Sequence, residues 1–364
     1  MPKEQSTSRI QLFKVAMSPD APKAVREVLL SGYIGQGSKV EEFETRLHEL
    51  FKSSTRPLTT STCTHALDLA FHLCGIGPGD SVISTPATCS ATNTGLVHRR
   101  ANIIWADVDP ITGLINPVDV RRKVTAKTKA IIAVDWGGKL CDYDTLNAIG
   151  PPVIEDAAHA FMAEPMDKRG RYVCYSFQAI KHLTTVDGGA IIVPQEEYKR
   201  AKLLRWYGFD REAGQSFRCA QKIEEIGYKY HMNDVAATIG LSNIDLALRN
   251  LKKCRTNARN FCAISSRLKS VALPEWNPSS SWWLYTLLVD NPSRFIKFAS
   301  KRGIVASQVH ARSDQHPQLK GAWGPLPGVG AFYQHMVCVP VGWWLLSSNR
   351  VRVLNMIMSY DKKM

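Results

Sequence analysis

Two neighbouring stretches decide how this chain reads: Ile154-Glu-Asp-Ala-Ala-His-Ala-Phe161 and Tyr175-Ser-Phe-Gln-Ala-Ile-Lys-His-Leu-Thr-Thr-Val-Asp-Gly-Gly189. In each, an ionisable residue follows directly on a short apolar run. Pro152-Val-Ile-Glu leads into Asp156, and Tyr172-Val-Cys-Tyr-Ser leads towards Lys181. Runs this short and β-branched are read as buried strands, which puts Asp156 and Lys181 at strand carboxyl ends. In open α/β sheets that is where ligands bind. The twin glycines Gly188 and Gly189 then permit a tight turn into the next strand, Ala190-Ile-Ile-Val.

The same alternation extends outward on both sides. Between about residues 55 and 195, Ser81-Val-Ile-Ser-Thr, Asn102-Ile-Ile-Trp-Ala and Ala130-Ile-Ile-Ala-Val read as further strands. Amphipathic stretches such as Thr64–Cys74 and Pro117–Val124 lie between them. Strand and helix in alternation imply βαβ units and a mostly parallel sheet covered on both faces. The pattern turns helical at Asp234-Val-Ala-Ala-Thr-Ile-Gly-Leu and stays so through Ile244–Leu268, a bridge between two domains. Beyond it, Trp282-Trp-Leu-Tyr-Thr-Leu-Leu-Val reads as a strand, Pro292–Arg302 as a helix ended by Gly303, and Ser347–Ser359 as a last helix. The expected organisation is a large α/β domain over 1–245 and a small C-terminal α+β domain over 246–364.

Composition narrows the function classes without selecting one. With 45% apolar and 21% charged residues, the 364-residue chain has the make-up of a soluble globular protein. No segment approaches the run of roughly 18 apolar residues that spans a bilayer, and Met1-Pro-Lys-Glu-Gln-Ser-Thr-Ser-Arg9 has no apolar leader core. The cytoplasm is the default location, with no membrane partner. The nine cysteines form no C-x-x-C pair and no zinc spacing, so neither a disulfide framework nor a metal site is expected. Lys and Arg number 46 against 32 Asp and Glu, a net charge of +14 that favours anionic partners. The basic residues are dispersed and no nucleic-acid-binding signature accompanies them, so no nucleic acid is expected. A phosphorylated cofactor or a nucleotide-linked substrate suits the charge equally well.

A lysine, a carboxylate and a phosphate cradle at strand ends are what a pyridoxal 5'-phosphate site requires. Lys181 fits the Schiff-base amine, Asp156 the partner of the pyridine nitrogen, and Thr64 with Ser176 the cradle. Either ionisable residue alone is more commonly a surface lysine or a helix cap, and Thr64 is also readable as a plain N-cap.

These residues resemble the DegT/StrS-type aminotransferases, pyridoxal-phosphate enzymes of the aspartate-aminotransferase fold (fold type I) that act mainly on nucleotide-linked keto sugars. The resemblance begins at Ser31-Gly-Tyr-Ile-Gly-Gln-Gly-Ser-Lys-Val-Glu-Glu-Phe-Glu44, where Gly35 falls on the substrate side. It continues through Thr62-Cys-Thr-His-Ala-Leu67, Gly75-Ile-Gly-Pro-Gly-Asp-Ser-Val-Ile83, Ala106-Asp-Val-Asp109 and Val134-Asp-Trp-Gly-Gly138. After the Asp156 and Lys181 stretches come Gly227-Tyr-Lys-Tyr-His-Met-Asn-Asp234 and Val339-Pro-Val-Gly-Trp-Trp-Leu345.

The resemblance implies a large, mainly seven-stranded sheet and a homodimer with shared active sites. It makes Lys181 the catalytic Schiff-base lysine and proton shuttle, and puts His159 beside the cofactor ring or its 3-hydroxyl. Ser176, Thr64 and the Cys63 and Thr64 amides at a helix N-terminus would hold the phosphate. Four departures from the family pattern stand out. Cys63 replaces a glycine. Pro86-Ala-Thr-Cys-Ser-Ala-Thr92 lacks the usual ring-stacking aromatic, so Thr88 or Cys89 takes its place. Lys229 replaces an asparagine that reaches the neighbouring subunit's phosphate. Val186 replaces a glycine.

The implied activity is transfer of an amino group, from glutamate, to a nucleotide-linked keto-deoxy sugar, with pyridoxamine 5'-phosphate as the intermediate cofactor form. His310 and Arg312, in Gln308-Val-His-Ala-Arg312, are candidates for contacting sugar or pyrophosphate. Two other classes stay open. A sugar dehydratase on this fold replaces the lysine by histidine, whereas here Lys181 is present with His182 beside it. A non-catalytic regulatory protein would have no need of the Lys181–Asp156 pair.

Overall fold

The computed structural model describes residues 9–214, 217–319, 321–322 and 324–363. Residues 1–8, most of the stretch read above for a leader, lie outside the described residues. A seven-stranded sheet is built from β1 (Leu58–Thr60), β2 (Ser81–Ser84), β3 (Asn102–Trp105), β4 (Thr128–Val134), β5 (Val153–Asp156), β6 (Tyr172–Ser176) and β7 (Gly189–Ile192). Its order is β1-β7-β6-β5-β4-β2-β3. The pairs from β3 to β6 are parallel, and β7 runs antiparallel to both β6 and β1. The six strands expected from apolar runs are all present. Leu58-Thr-Thr60 lacks such a run and enters the sheet by pairing with β7.

Side-chain alternation divides the buried residues between two faces. Ile154, Cys174 and Ile191 pack in one core with Leu67 and Phe71. Val173, Tyr175 and Ala190 pack in another with Phe43, Leu47 and Phe51. Asp156 lies two residues after Ile154, so it shares the face covered by the helix Cys63–Leu73.

The helix Asp234–Cys262 is capped by Asn233, whose side chain accepts from the Ala236 amide. Its first half packs against the helices Ala21–Ser31 and Ser38–Phe51. Its last turns put Cys254, Ala258 and Phe261 into a separate apolar core with Tyr285, Phe295 and Ile357. That core backs an antiparallel sheet of β8 (Val271–Ala272), β9 (Tyr285–Val289) and β10 (Met336–Val339), ordered β10-β9-β8. Ile10 joins the same core and forms an isolated bridge with Ile304.

The strand expected from Trp282 begins only at Tyr285. Trp282 sits in the left-handed region (φ 51°), a conformation a strand cannot contain. Its indole is buried between Trp276 and Tyr285 and donates to the Asn277 carbonyl at 2.8 Å. All nine cysteines are free. Among the described residues no helix is long and apolar enough to cross a membrane.

Candidate active site

At the carboxyl ends of β5 and β6, a cavity of about 500 Å³ opens between the large sheet and the segment preceding β9. Nine of the residues singled out from the sequence line it: Lys181, Asp156, His159, Ser176, Cys63, Thr64, Thr88, Cys89 and His310. Its volume suits a small cofactor with a substrate.

Asp156 ends β5 and is buried. Its Oδ2 accepts from Thr92 Oγ1 at 2.7 Å, and its Oδ1 accepts from the Ala158 amide at 3.1 Å. Thr92 Oγ1 is in turn 2.7 Å from Thr88 Oγ1, so two buried hydroxyls stand in line behind the carboxylate. Burial pushes the Asp156 carboxyl above its ordinary range, while Thr92, the Ala158 amide and Lys181 pull the other way.

Lys181 stands on the turn that follows β6, fixed by hydrogen bonds from its own amide to the Gln178 carbonyl and from the Thr185 amide to the Phe177 carbonyl, both 2.9 Å. Its side chain borders the cavity and is surrounded by protein, which brings the amine down to about 8, with Asp156 opposing the drop. Such an amine is neutral in an appreciable fraction of molecules near neutral pH, as a nucleophile or proton acceptor requires.

The shift has a consequence for stability. An amine that titrates at about 8 when folded and near 10.4 when unfolded is held protonated at a cost below pH 8. That cost, up to roughly 3 kcal/mol, is relieved as pH rises from about 8 to 10.5. Cofactor-free wild type should therefore gain on a Lys181→Met variant across this window, with melting temperatures recorded at pH 7, 8, 9 and 10. Parallel curves would contradict the assignment.

At the start of the helix Cys63–Leu73, strand and helix approach closely. The helix Cys63–Leu73 is capped by Thr62, whose side chain accepts from the His65 amide, so Thr62 rather than Thr64 is the N-cap. Cys63 and Thr64 are its first two residues, positions whose amides have no intrahelical acceptor. Gly189, the first residue of β7, lies against them: a Cβ there would stand 2.6 Å from the Cys63 nitrogen and 2.7 Å from the Thr62 carbonyl carbon. Both neighbours are backbone and cannot swing aside. Gly189→Ala should thus move the strand off the helix terminus, weakening at least tenfold the binding of any phosphorylated cofactor held there and costing about 1–3 kcal/mol of stability. Cofactor titration and urea unfolding read the two effects, and an alanine variant with wild-type affinity would contradict this role.

Val186, the valine at a position where the resembled family has glycine, lies at φ 75° with its side chain half exposed. The left-handed backbone gives the physical reason for that glycine, since only glycine adopts it without cost.

His159 is buried, and the Gly137 amide points at its Nδ1 from 3.4 Å, leaving the proton on Nε2. Burial holds its pKa well below the usual value, with the positive charge of Lys181 adding to the effect. His310 is brought down to about 4, first by burial and then by Lys181, so both rings are neutral at physiological pH. They lie parallel at 6.2 Å. Val309 beside His310 is a second β-branched residue in the left-handed region (φ 66°).

Three singled-out residues do not line the cavity. Gly35 accepts the Asp234 amide through its carbonyl at 2.7 Å. Lys229 forms an isolated antiparallel bridge with Trp206. Arg312 is paired with Asp314 through contacts of 2.6 and 3.0 Å. Conversely, Thr92, Gln178, Asp187, Phe13 and Trp283 line the cavity without having been singled out. Thr92 had a signal, its one-turn spacing from Thr88. Trp283 had none, because it reads as part of the β9 strand.

Comparison with known proteins places this geometry. The DegT/DnrJ/EryC1/StrS aminotransferase family matches residues 16–357. AtS13 from Actinomadura melliaura superposes with a TM-score of 0.91 at 37% identity, covering 96% of this chain and 98% of that one. The sugar aminotransferase CalS13 from Micromonospora echinospora gives 0.90 at 32% identity, covering 96% and 99%. The spore coat polysaccharide biosynthesis protein SpsC of Bacillus subtilis is 33% identical over 282 residues, 73% of this chain and 72% of its own. A match from residue 16 to residue 357, with relatives above 30% identity along most of both chains, means that the chain belongs to the DegT/DnrJ/EryC1/StrS aminotransferase family.

Proposed function

We propose that this aminotransferase uses pyridoxal phosphate to move the amino group of glutamate onto the keto carbon of a nucleotide-linked deoxy sugar, giving an amino sugar and 2-oxoglutarate. The observation that carries the reading is the cavity that holds the Lys181 amine and the Asp156 carboxylate together with the free end of the helix Cys63–Leu73. The helix start supports the cofactor's fit, since Cys63 and Thr64 line the cavity and their amides, in the first turn, have no intrahelical acceptor. The similarity to CalS13, a sugar aminotransferase, and to SpsC, a polysaccharide biosynthesis protein, supports the substrate class.

In this reading Asp156 holds the proton on the cofactor's ring nitrogen, and Thr92 and the Ala158 amide keep the carboxylate ionised and aimed. Ser176 and Thr64, with the Cys63 and Thr64 amides, hold the phosphate, and neutral His159 lies against the ring. Thr88 and Cys89 border the ring in place of an aromatic. Bound pyridoxal phosphate supplies an electron-withdrawing ring that accepts the pair left when a proton departs from the substrate carbon. Lys181 would hold the cofactor covalently, and its amine, once free, would be the group that accepts that proton and gives it back in a 1,3 shift. His310, on the cavity wall, faces the sugar nucleotide, and Arg312 would meet it only by giving up its pairing with Asp314. A cytoplasmic homodimer in which a second copy brings Lys229 to the phosphate and Gly35 to the substrate accounts for the distance of both from their own cavity. The domain boundary is placed at 245/246, inside the helix Asp234–Cys262.

The test is product mass after incubation of the pyridoxal-phosphate-loaded protein with glutamate and a panel of nucleotide-linked keto sugars. The expected product carries an amino group in place of the oxo group, with 2-oxoglutarate formed in equal amount. Failure of every sugar to yield 2-oxoglutarate would overturn the substrate class.

A further inference from the structure

The Trp283 ring lies beside the amine on which the proposed chemistry turns. The Lys181 Nζ lies 3.6 Å from the centroid of the Trp283 ring. That is within the distance at which an ammonium is attracted by an aromatic quadrupole, for which tryptophan is the best partner. The indole is itself held on several sides. Phe13 stacks on it at 4.9 Å and His159 at 4.0 Å, each tilted by only 22°. Its Nε1 donates to the carbonyl of Ile180, the residue before Lys181, at 3.2 Å. The indole therefore touches both the backbone leading into Lys181 and the end of its side chain.

The segment carrying Trp283 is fixed to the large sheet by two glycines. The Trp283 amide donates to the Gly137 carbonyl at 2.9 Å. At Gly138 (φ 96°) a Cβ would meet Ser281 Oγ at 1.9 Å and the His159 carbonyl at 2.8 Å. The left-handed turn at buried Trp282 then directs the next side chain to the cavity. No other positive group competes with Lys181 for the ring among the described lining residues, since His159 and His310 are neutral and no further lysine or arginine lines the cavity.

We infer that Trp283 is the positioning residue for Lys181: its indole receives the lysine's ammonium whenever the amine is not covalently engaged, and so fixes both its place and its proton affinity. This rests on the reading of Lys181 as the cofactor lysine. Burial alone draws the amine towards neutrality, and the ring opposes that draw without adding a second negative charge beside Asp156. A lysine so held stays within reach of the carbon that loses its proton rather than moving out into solvent. Trp283 acts through Lys181 and is not itself a group that exchanges protons.

The experiment uses cofactor-free protein and follows the rate at which added pyridoxal phosphate develops its protein-bound visible absorbance, as a function of pH. Only the neutral amine attacks the aldehyde, so the midpoint of this profile reports the ionisation of Lys181. In wild type a midpoint near 8 is expected. In Trp283→Leu it should fall by about one pH unit, a tenfold change in ionisation constant, and in Trp283→Phe by less than half of that. Intrinsic fluorescence should show, as the wild-type-minus-Trp283→Phe difference, quenching with that same midpoint. Should Trp283→Leu fail to fold, the Phe variant and the fluorescence titration decide the matter. A midpoint unchanged in every folded variant, or raised, overturns the role of Trp283. Absence of visible absorbance in wild type overturns instead the assignment of Lys181, and the two failures are thereby distinct.

Discussion

Lys181→Ala is expected to reduce amino transfer by at least about 10³-fold and to remove the visible absorbance of protein-bound pyridoxal phosphate, leaving the fold intact. The size follows from two losses. Covalent attachment needs a nucleophilic amine, and proton transfer at the substrate carbon needs an acid–base group, itself worth roughly 10²–10⁴-fold. No neighbour replaces it. His182 directs Nε2 to the Ser281 carbonyl at 3.0 Å and titrates at about 4, too acidic to take the proton efficiently. His159 is held neutral and stacked on Trp283. Cys63 is pushed well above its usual value, by burial first, so its thiol stays protonated. Added small amines should restore part of the lost rate, because the alanine leaves room on the cavity wall where the amine stood. Far-UV dichroism checks the fold. A variant within tenfold of wild type would remove Lys181 from the mechanism.

The strands around this residue were legible because each is a short β-branched run buried on both faces, and Val153–Asp156 and Tyr172–Ser176 fall where those runs lie. Strand direction was legible too, and it fixed Asp156 and Lys181 at one edge. Leu58–Thr60 was not, since two of its three residues are threonine and its place comes from pairing with residues more than 120 positions later. Trp283 was hidden for a related reason. Periodicity continues the β9 strand back to Trp282, whereas the chain leaves the strand at a left-handed residue held by packing against Trp276. The cap at Thr62 rather than Thr64 shows how residue types that suit a helix start twice in three positions are separated only by geometry. At Val186 the order is reversed: the missing glycine was visible in the sequence, and its reason appeared only with the φ angle.

Asp156→Asn is expected to bind pyridoxal phosphate but to transfer amino groups about 10²–10³-fold more slowly, a larger loss than its minimal change of shape suggests. Asparagine keeps the size of the side chain and can still accept from the Ala158 amide or from Thr92, the two contacts that orient Asp156. What it lacks is charge. A ring nitrogen keeps its proton only beside a formal negative charge in a low-dielectric site, and the electron withdrawal that eases proton loss from the substrate depends on that proton. Because the loss is electrostatic, it should appear in kcat more than in KM, as expected for an interaction realised chiefly in the transition state. The pH dependence separates this from misfolding. In the cofactor-free protein burial raises the Asp156 carboxyl above its ordinary range, and a protonated ring nitrogen beside it would draw it down again, so wild-type activity should fall only once the pH is low enough to protonate that paired carboxylate. The asparagine variant has no such group, and its residual rate should lack that limb while keeping the one set by Lys181. Thr92→Val offers the intermediate case: with one hydrogen bond to the carboxylate gone, the acid limb should move upward and the plateau should change little. If Asp156→Asn retained the wild-type acid limb, that limb would belong to another group, and the carboxylate at the end of β5 would serve only to hold the turn at the Ala158 amide.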